Sequence, residues 1–206
     1  MPKHEQTKRE ADLPTGASTQ LEEDVSRWVE ECVIGLDLCP FAAAPFREDR
    51  VAIKICRSKT QEGAISFLLA QIEKLIMTPP RKLSNTLVVF SDAFGDFEDF
   101  LDALAAFNGM LAQSSLVDAF QIASFHPNYH FSDSPPNARG NLTNRAPYPI
   151  FHLLREDEVT DAVTRYKNPE QIPTRNIARL ETLDLAEIAS RWPFIDPSSL
   201  LPPENA

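Results

Sequence analysis

The sequence is poor in glycine and in positive charge, and each shortage argues against a class of protein. It has six glycines in 206 residues. Neither a GxGxxG nor a GxxxxGK[S/T] motif occurs, so dinucleotide and P-loop phosphate sites are not indicated. The net charge is −10, from 20 Lys and Arg against 30 Asp and Glu. Because this charge repels polyanions, we expect neither a nucleic-acid partner nor an anionic membrane surface.

Long apolar runs are also missing, and cysteine is scarce. No run approaches the roughly 20 residues that cross a bilayer, and the N-terminus lacks the apolar core of a secretory signal, so we expect a cytoplasmic protein with no membrane partner. The three cysteines, Cys32, Cys39 and Cys56, have no CxxC spacing. In a reducing compartment we expect free thiols, with Cys39 not bonded to Cys32.

The periodicity of the sequence predicts an α/β fold. We expect one domain at 19–196, between flexible tails at 1–18 and 197–206. Apolar spacing predicts, in chain order, a helix near 21–36, a strand at 50–56, a helix at 61–77, a strand at 86–90, a helix at 96–113, strands at 120–125 and 150–154, and helices near 158–166 and 170–183. The alternation of strands and helices predicts a mostly parallel sheet of about four strands with flanking helices.

The segment SFHPNYHFSDSPPNARGNLTNRAPYPIFHLL, residues 124–154, contains three of the four histidines and five of the seventeen prolines. The residues between the third and fourth predicted strands exceed the usual length of a structureless loop, which is typical of a lid or a binding loop. Prolines favour an ordered loop. We therefore predict a long proline-rich loop packed over the carboxyl-terminal edge of the strands, with Arg57, Asp92 or both within its reach.

Candidate site residues follow from where the predicted strands end. Ligands of open parallel sheets bind at the carboxyl ends of the strands, and the first three strands end near Arg57, Asp92 and His126. If the fourth strand is antiparallel to the third, His152 approaches His126. Imidazoles titrate near neutral pH, so we expect His126 and His152 to act as general acid and base in one cavity that Arg145 also lines.

Three blocks of the sequence resemble a known family. They are GLDLCPF (35–41), SFHPNYHF (124–131), and NLTNRAPYP (141–149) with the nearby HLLRE (152–156). They resemble the family of domains of unknown function numbered 1415 over about residues 20–185. The resemblance carries no activity, but it implies a site that includes the motif positions Cys39, His126, Tyr129, Asn144, Arg145, Tyr148 and His152. The chain departs from the family pattern at Ala146, where a serine is common.

Each candidate has an alternative structural role. Arg145 suits a carboxylate or phosphate, but it would equally form a salt bridge. Cys39 is a candidate nucleophile, although the end of the preceding helix raises the pKa of a thiol there. Asn144, Tyr129 and Tyr148 either line the pocket or anchor the loop. A metal site would need His126 and His152 with Cys39 or Asp92, and no ligand spacing supports one.

Two functions of different classes remain open from the sequence. The first is an enzyme, a hydrolase or transferase that acts on a small anionic metabolite, with Arg145, Asn144, Asp92 and Arg57 as substrate contacts and no particular cofactor indicated. The second is a non-catalytic module that binds a ligand or a protein through the 124–154 segment. Burial discriminates between them, because a concave pocket favours the enzyme and an exposed ridge bearing Tyr129 and Tyr148 favours the module.

Overall fold

A computed structural model describes residues 15–201, so most of the two predicted tails, 1–14 and 202–206, lies outside the described residues. The helices and strands, in chain order, are α1 (Thr15–Trp28), α2 (Ala43–Arg47), β1 (Val51–Cys56), α3 (Gln61–Met77), β2 (Asn85–Phe90), α4 (Phe97–Ala112), β3 (Phe120–Phe125), β4 (Ile150–Arg155), α5 (Glu156–Arg165), α6 (Ile172–Glu181) and α7 (Leu185–Arg191). A π-helix at Val29–Ile34 continues α1, and 3₁₀-helices cover Arg139–Thr143, Pro169–Gln171 and Pro197–Leu200.

The four strands form a mixed sheet in the order β1-β2-β4-β3. β1 and β2 are parallel, whereas β4 is antiparallel to both β2 and β3. The α/β class is confirmed, but the prediction of a mostly parallel sheet is wrong. After β3 the chain reverses, and β4 inserts between β2 and β3, so these two strands point the same way without pairing. The alternation of side chains along a strand does not indicate which way the strand runs or which strand it pairs with. The sequence therefore did not reveal the strand order β1-β2-β4-β3.

Helices cover both faces of the sheet and enclose two apolar clusters. On one face, which we call the α1 face, Leu87 and Ile150 pack with Trp28 and Trp192. On the opposite face, the α4 face, the side chains of α3 and α4 pack against the neighbouring strand residues, such as Val88 and Phe151. Alternate strand residues therefore belong to different clusters, as the pleat of a strand requires.

Most predicted elements are present, with shifted ends. Thr60 and Asp96 accept hydrogen bonds from backbone N–H groups in the first turns of α3 and α4 and so cap these helices. α1 begins at Thr15, so residues 15–18 are helical rather than part of a tail. Pro197–Leu200 is also ordered as a 3₁₀-helix, in which Leu200 is buried. The short helices α2 and α7 were not predicted, because each has fewer than two full repeats of apolar spacing.

The connection from β3 to β4, residues 126–149, differs from the single proline-rich loop that we predicted. It consists of short turns and the 3₁₀-helix Arg139–Thr143, which packs against α6. The Arg139 guanidinium donates to the carbonyls of Glu181, the last residue of α6, and Leu183. Within residues 15–201, neither Arg57 nor Asp92 bonds to this segment; Arg57 donates to Ser18, and Asp92 accepts from Ser91. In the described part of the chain, neither residue is therefore hydrogen-bonded to the segment.

Candidate functional site

A cavity of about 610 Å³ lies on the α1 face of the sheet. α1, the 39–46 segment and α5 enclose it against side chains from all four strands. Val51 and Asn85, the first residues of β1 and β2, are part of the lining, as is Arg155, the last residue of the antiparallel β4. The polar part of this cavity is thus at the amino-terminal ends of β1 and β2, opposite the edge at which we expected the ligand site.

Most of the lining is apolar, and several of its polar residues are hydrogen-bonded to one another. The apolar part includes Trp28, Val33, Phe46, Leu87 and Phe125. The polar and charged lining residues are Cys39, Arg50, Ser84, Asn85, His152, Arg155, Glu158, Asp161 and Arg165. An apolar cavity with a small number of converging polar groups is the usual form of a small-molecule site.

His152 lies at the polar end of this cavity and contacts a buried amide. Its Nε2 is 2.8 Å from Oδ1 of Asn85. The Asn85 side-chain nitrogen donates to Oγ of Ser84 over 3.2 Å, and the Ser84 hydroxyl donates to Oε2 of Glu158 over 2.8 Å. Arg50 donates to the other oxygen of Glu158 over 3.2 Å. An unbroken chain of hydrogen bonds therefore connects the imidazole to an ion pair at the edge of the cavity.

The imidazole of His152 is neutral at physiological pH. Desolvation lowers its pKa to about 4, because burial disfavours the charged ring. A neutral imidazole keeps one unprotonated nitrogen, which can accept a proton or a hydrogen bond. Because this pKa lies well below neutrality, the ring is a weak base there, and its unprotonated nitrogen is chiefly a hydrogen-bond acceptor.

Cys39 lines the same cavity and is half-buried. Burial raises the pKa of its thiol, while the backbone N–H groups of Phe41 and Ala42 hydrogen-bond to the sulfur and favour the thiolate. Because burial has the larger effect, Cys39 is a thiol at neutral pH. All three cysteines are free, and Cys32 and Cys56 are buried. The structure thus brings Cys39 and His152 to one cavity. We had expected both in one site with His126, which is not among the lining residues.

His126 lies elsewhere, and the expected approach of the two histidines does not occur. Its ring packs between Phe97 and Phe100 on the α4 face, whereas His152 pairs in register with Ala123 and Leu87 on the α1 face. The Asn128 backbone N–H donates to Nδ1 of His126 over 3.0 Å, so Nε2 donates to the carbonyl of Phe94, also at 3.0 Å. Both ring nitrogens are occupied by the backbone, and burial lowers the pKa of His126. This arrangement holds the start of the 126–149 segment in place.

Arg145 is also outside the cavity and bonds to the segment that contains it. The guanidinium is buried, with Nε donating to the carbonyl of Tyr129 at 3.1 Å and an Nη donating to that of Pro136 at 2.7 Å. The Asn144 side chain likewise donates to the carbonyl of Ser124 at 3.0 Å. These contacts connect parts of the 126–149 segment to one another and to β3. Burial lowers the pKa of Arg145.

The remaining predicted residues are dispersed. The ring of Tyr129 packs against Phe97 and Phe131. The Tyr148 hydroxyl donates to Asp24 over 2.8 Å, and burial with this carboxylate raises its pKa to about 12. Asp92 is exposed at the end of β2, and Arg57 is half-buried beside α1. Residues 15–201 contain no group of three or more His, Cys, Asp or Glu side chains placed to hold a metal ion.

Sequence reasoning missed Ser84, Asn85 and Glu158. Asn85 is the polar first residue of an otherwise apolar strand, and it lies on the same face as Leu87 and Val89. This alternation was visible in the sequence. What was not visible is that β4 pairs with β2, with His152 opposite Leu87, which brings the imidazole beside Asn85.

Comparison with known proteins assigns a family without an activity. The family model of proteins of unknown function DUF1415 matches residues 20–190, so the chain belongs to this family. No curated protein and no solved structure matches the chain. In the described part of the chain, no helix has the length and apolarity needed to cross a membrane.

Proposed function

We propose that this protein binds a small organic molecule with a largely apolar body in the cavity on the α1 face. The observation that carries the proposal is the combination of an apolar lining with a neutral imidazole, His152, held by Asn85 at the polar end. The cavity volume of about 610 Å³ lies within the range of small-molecule sites.

An acidic group on the ligand, as in the small anionic metabolite predicted from the sequence, has candidate partners in this cavity. Arg165 lines it, is exposed, and pairs with Asp161 at 2.9 Å on the surface of α5. Arg50 lies nearer the buried polar end and is ion-paired with Glu158 and Glu48. Because exposed ion pairs are weak, Arg165 is the cation that a ligand carboxylate or phosphate would recruit most readily.

If the protein is an enzyme, His152 is the proton-transfer group that we propose for a hydrolase or transferase reaction. Its Nδ1, which has no hydrogen-bond partner among the described residues, is a weak base because of the low pKa of the ring. Cys39, a thiol at neutral pH, is the candidate nucleophile in the same cavity. We do not propose His126 as its partner, because both nitrogens of that ring are bonded to the backbone. A non-catalytic protein would use the same cavity to hold a ligand without this step.

The alternative of a protein-binding module formed by the 124–154 segment has one observation in its favour. Phe131, in this segment, is 37% exposed. Tyr129 and Tyr148, which would form an exposed ridge, are instead half-buried. We therefore propose the cavity as the first candidate.

The fluorescent probe 8-anilinonaphthalene-1-sulfonate tests the cavity, because it has an apolar body and one anionic group. We expect saturable one-to-one binding to the wild type. Ala123 lines the cavity, so Ala123→Leu should weaken binding by about tenfold or more through steric exclusion. The matched control is Ala52→Leu, a strand alanine on the opposite face that should bind as the wild type does. Equal binding by both folded variants would contradict the proposal.

A further inference from the structure

The hydrogen-bond chain at the polar end of the cavity has a fixed direction. A carboxylate only accepts hydrogen bonds, so the single hydroxyl proton of Ser84 must point to Glu158. The Ser84 oxygen then accepts from Asn85, which requires the NH₂ group of Asn85 to face Ser84 and its oxygen to face His152. The Nε2 atom of His152 must consequently carry the proton that it donates to Asn85.

The other ring nitrogen of His152 is free to contact a ligand. Nδ1 has no hydrogen-bond partner among the described residues. No buried polar side-chain atom in this part of the chain lacks a partner, so Nδ1 is accessible rather than enclosed, and His152 lines the cavity. Asn85 and Ser84, which determine the tautomer of His152, are only 6% and 5% exposed. Glu158 accepts the hydrogen bond of Ser84 and is itself paired with Arg50.

We infer that Asn85 is a positioning residue that holds His152 as the Nε2–H tautomer, so that the polar end of the cavity accepts a hydrogen bond and selects ligands that present a hydroxyl or another donor there. This inference rests on the proposed function and specifies the ligand further: an apolar body with a donor group at the His152 end. An acidic group, where one is present, would pair with Arg165. Loss of one hydrogen bond lowers affinity by roughly three- to tenfold, so we expect this difference between ligands with and without the donor group.

The tautomer is measured without a ligand, by ¹⁵N NMR of protein labelled at histidine. We expect the signal that His152→Gln removes to show a protonated Nε2 and an unprotonated Nδ1 at neutral pH. Asn85→Asp should raise the pKa of His152, because a carboxylate then faces the ring, and Asn85→Leu should mix the tautomers. Asn128→Asp is the matched control, since Asn128 is exposed and uses only its backbone. His126 should keep its Nε2–H tautomer in every variant.

Ligand selection is tested with hexan-1-ol and its methyl ether as competitors of the fluorescent probe. The wild type should prefer the alcohol by about three- to tenfold, and Asn85→Leu should lose that preference while still binding the ether. An Nδ1–H tautomer in the wild type, or a His152 signal unchanged in Asn85→Leu, would overturn the positioning role. Equal competition by alcohol and ether would overturn the donor selection. If the fluorescent probe itself does not bind, the proposed function fails, whereas the NMR result still decides the role of Asn85.

Discussion

The histidines at positions 126 and 152 differ in what their ring nitrogens contact, and this difference places them in different environments. Backbone groups occupy both nitrogens of His126, so its ring is part of the hydrogen bonding that folds the chain. His152 bonds through one nitrogen to a side chain, and its ring lines a cavity. Residue type alone therefore did not distinguish an imidazole held by the backbone from one that lines a cavity, since that distinction depends on partners distant in sequence.

Stability should depend on pH through His152. Its pKa is about 4 in the folded protein and about 6.5 when unfolded. The unfolded chain therefore binds a proton at His152 at a higher pH than the folded protein does. As a result, the free energy of unfolding decreases as the pH falls below about 6.5. Between neutral pH and pH 4, the wild type should lose up to about 3 kcal/mol more than His152→Gln in urea unfolding. Parallel pH profiles for the two proteins would contradict this account of His152.

The thiol of Cys39 should react first among the three cysteines. Iodoacetamide is expected to modify it before Cys32 and Cys56, because those two are buried and Cys39 lines the cavity. Since burial raises the pKa of Cys39, the rate should continue to rise above about pH 8.5. Timed peptide mass mapping measures the order in which the cysteines react and the pH dependence of the rate at Cys39. A rate that levels off below this pH would show an activated thiolate, contrary to our assignment of its resting state.

The elements that form the site are β2, β4 and α5. The chain reversal after β3 inserts β4 beside β2, so that Asn85 faces His152, and α5 follows β4 directly and brings Glu158 to Ser84. The 126–149 segment makes this reversal. Its buried guanidinium, Arg145, bridges the carbonyls of Tyr129 and Pro136 and so contributes to the position of β4 without contacting the cavity.

Arg145→Lys should destabilise the protein by about 2 kcal/mol, because one ammonium does not reproduce two divergent guanidinium bonds in a buried position. Arg179→Lys is the control, since Arg179 is exposed on α6 and should change stability by less than about 0.5 kcal/mol. Urea unfolding measures both variants. If Arg145→Lys is as stable as the control but loses affinity for an anionic probe, Arg145 is a ligand contact, as first predicted, and our structural assignment is wrong.

At the scale of the whole molecule, the sequence predicted those features of the fold that depend on neighbouring residues. The bounds of α3 and β3 were predicted correctly, because helical and strand periodicity are properties of adjacent residues. The strand order was not, because it depends on pairing between segments as distant as Leu87 and His152. The parallel pairing of β1 with β2 had been expected, and the antiparallel course of β4 beside β3 had been considered. The cavity follows from that pairing, so the sequence identified Cys39 and His152 as candidates but associated them with the wrong edge of the sheet.

The central claim is that the cavity containing His152, and not the carboxyl-terminal edge of the strands, is the ligand site. The most direct test is a two-dimensional ¹H–¹⁵N NMR titration of the wild-type protein with 8-anilinonaphthalene-1-sulfonate. We predict that the largest amide shift changes lie at Cys39, Asn85 and His152, with small changes at Asp92 and His126. Changes centred on Asp92 and His126, or spread over the surface without saturation, would contradict the claim.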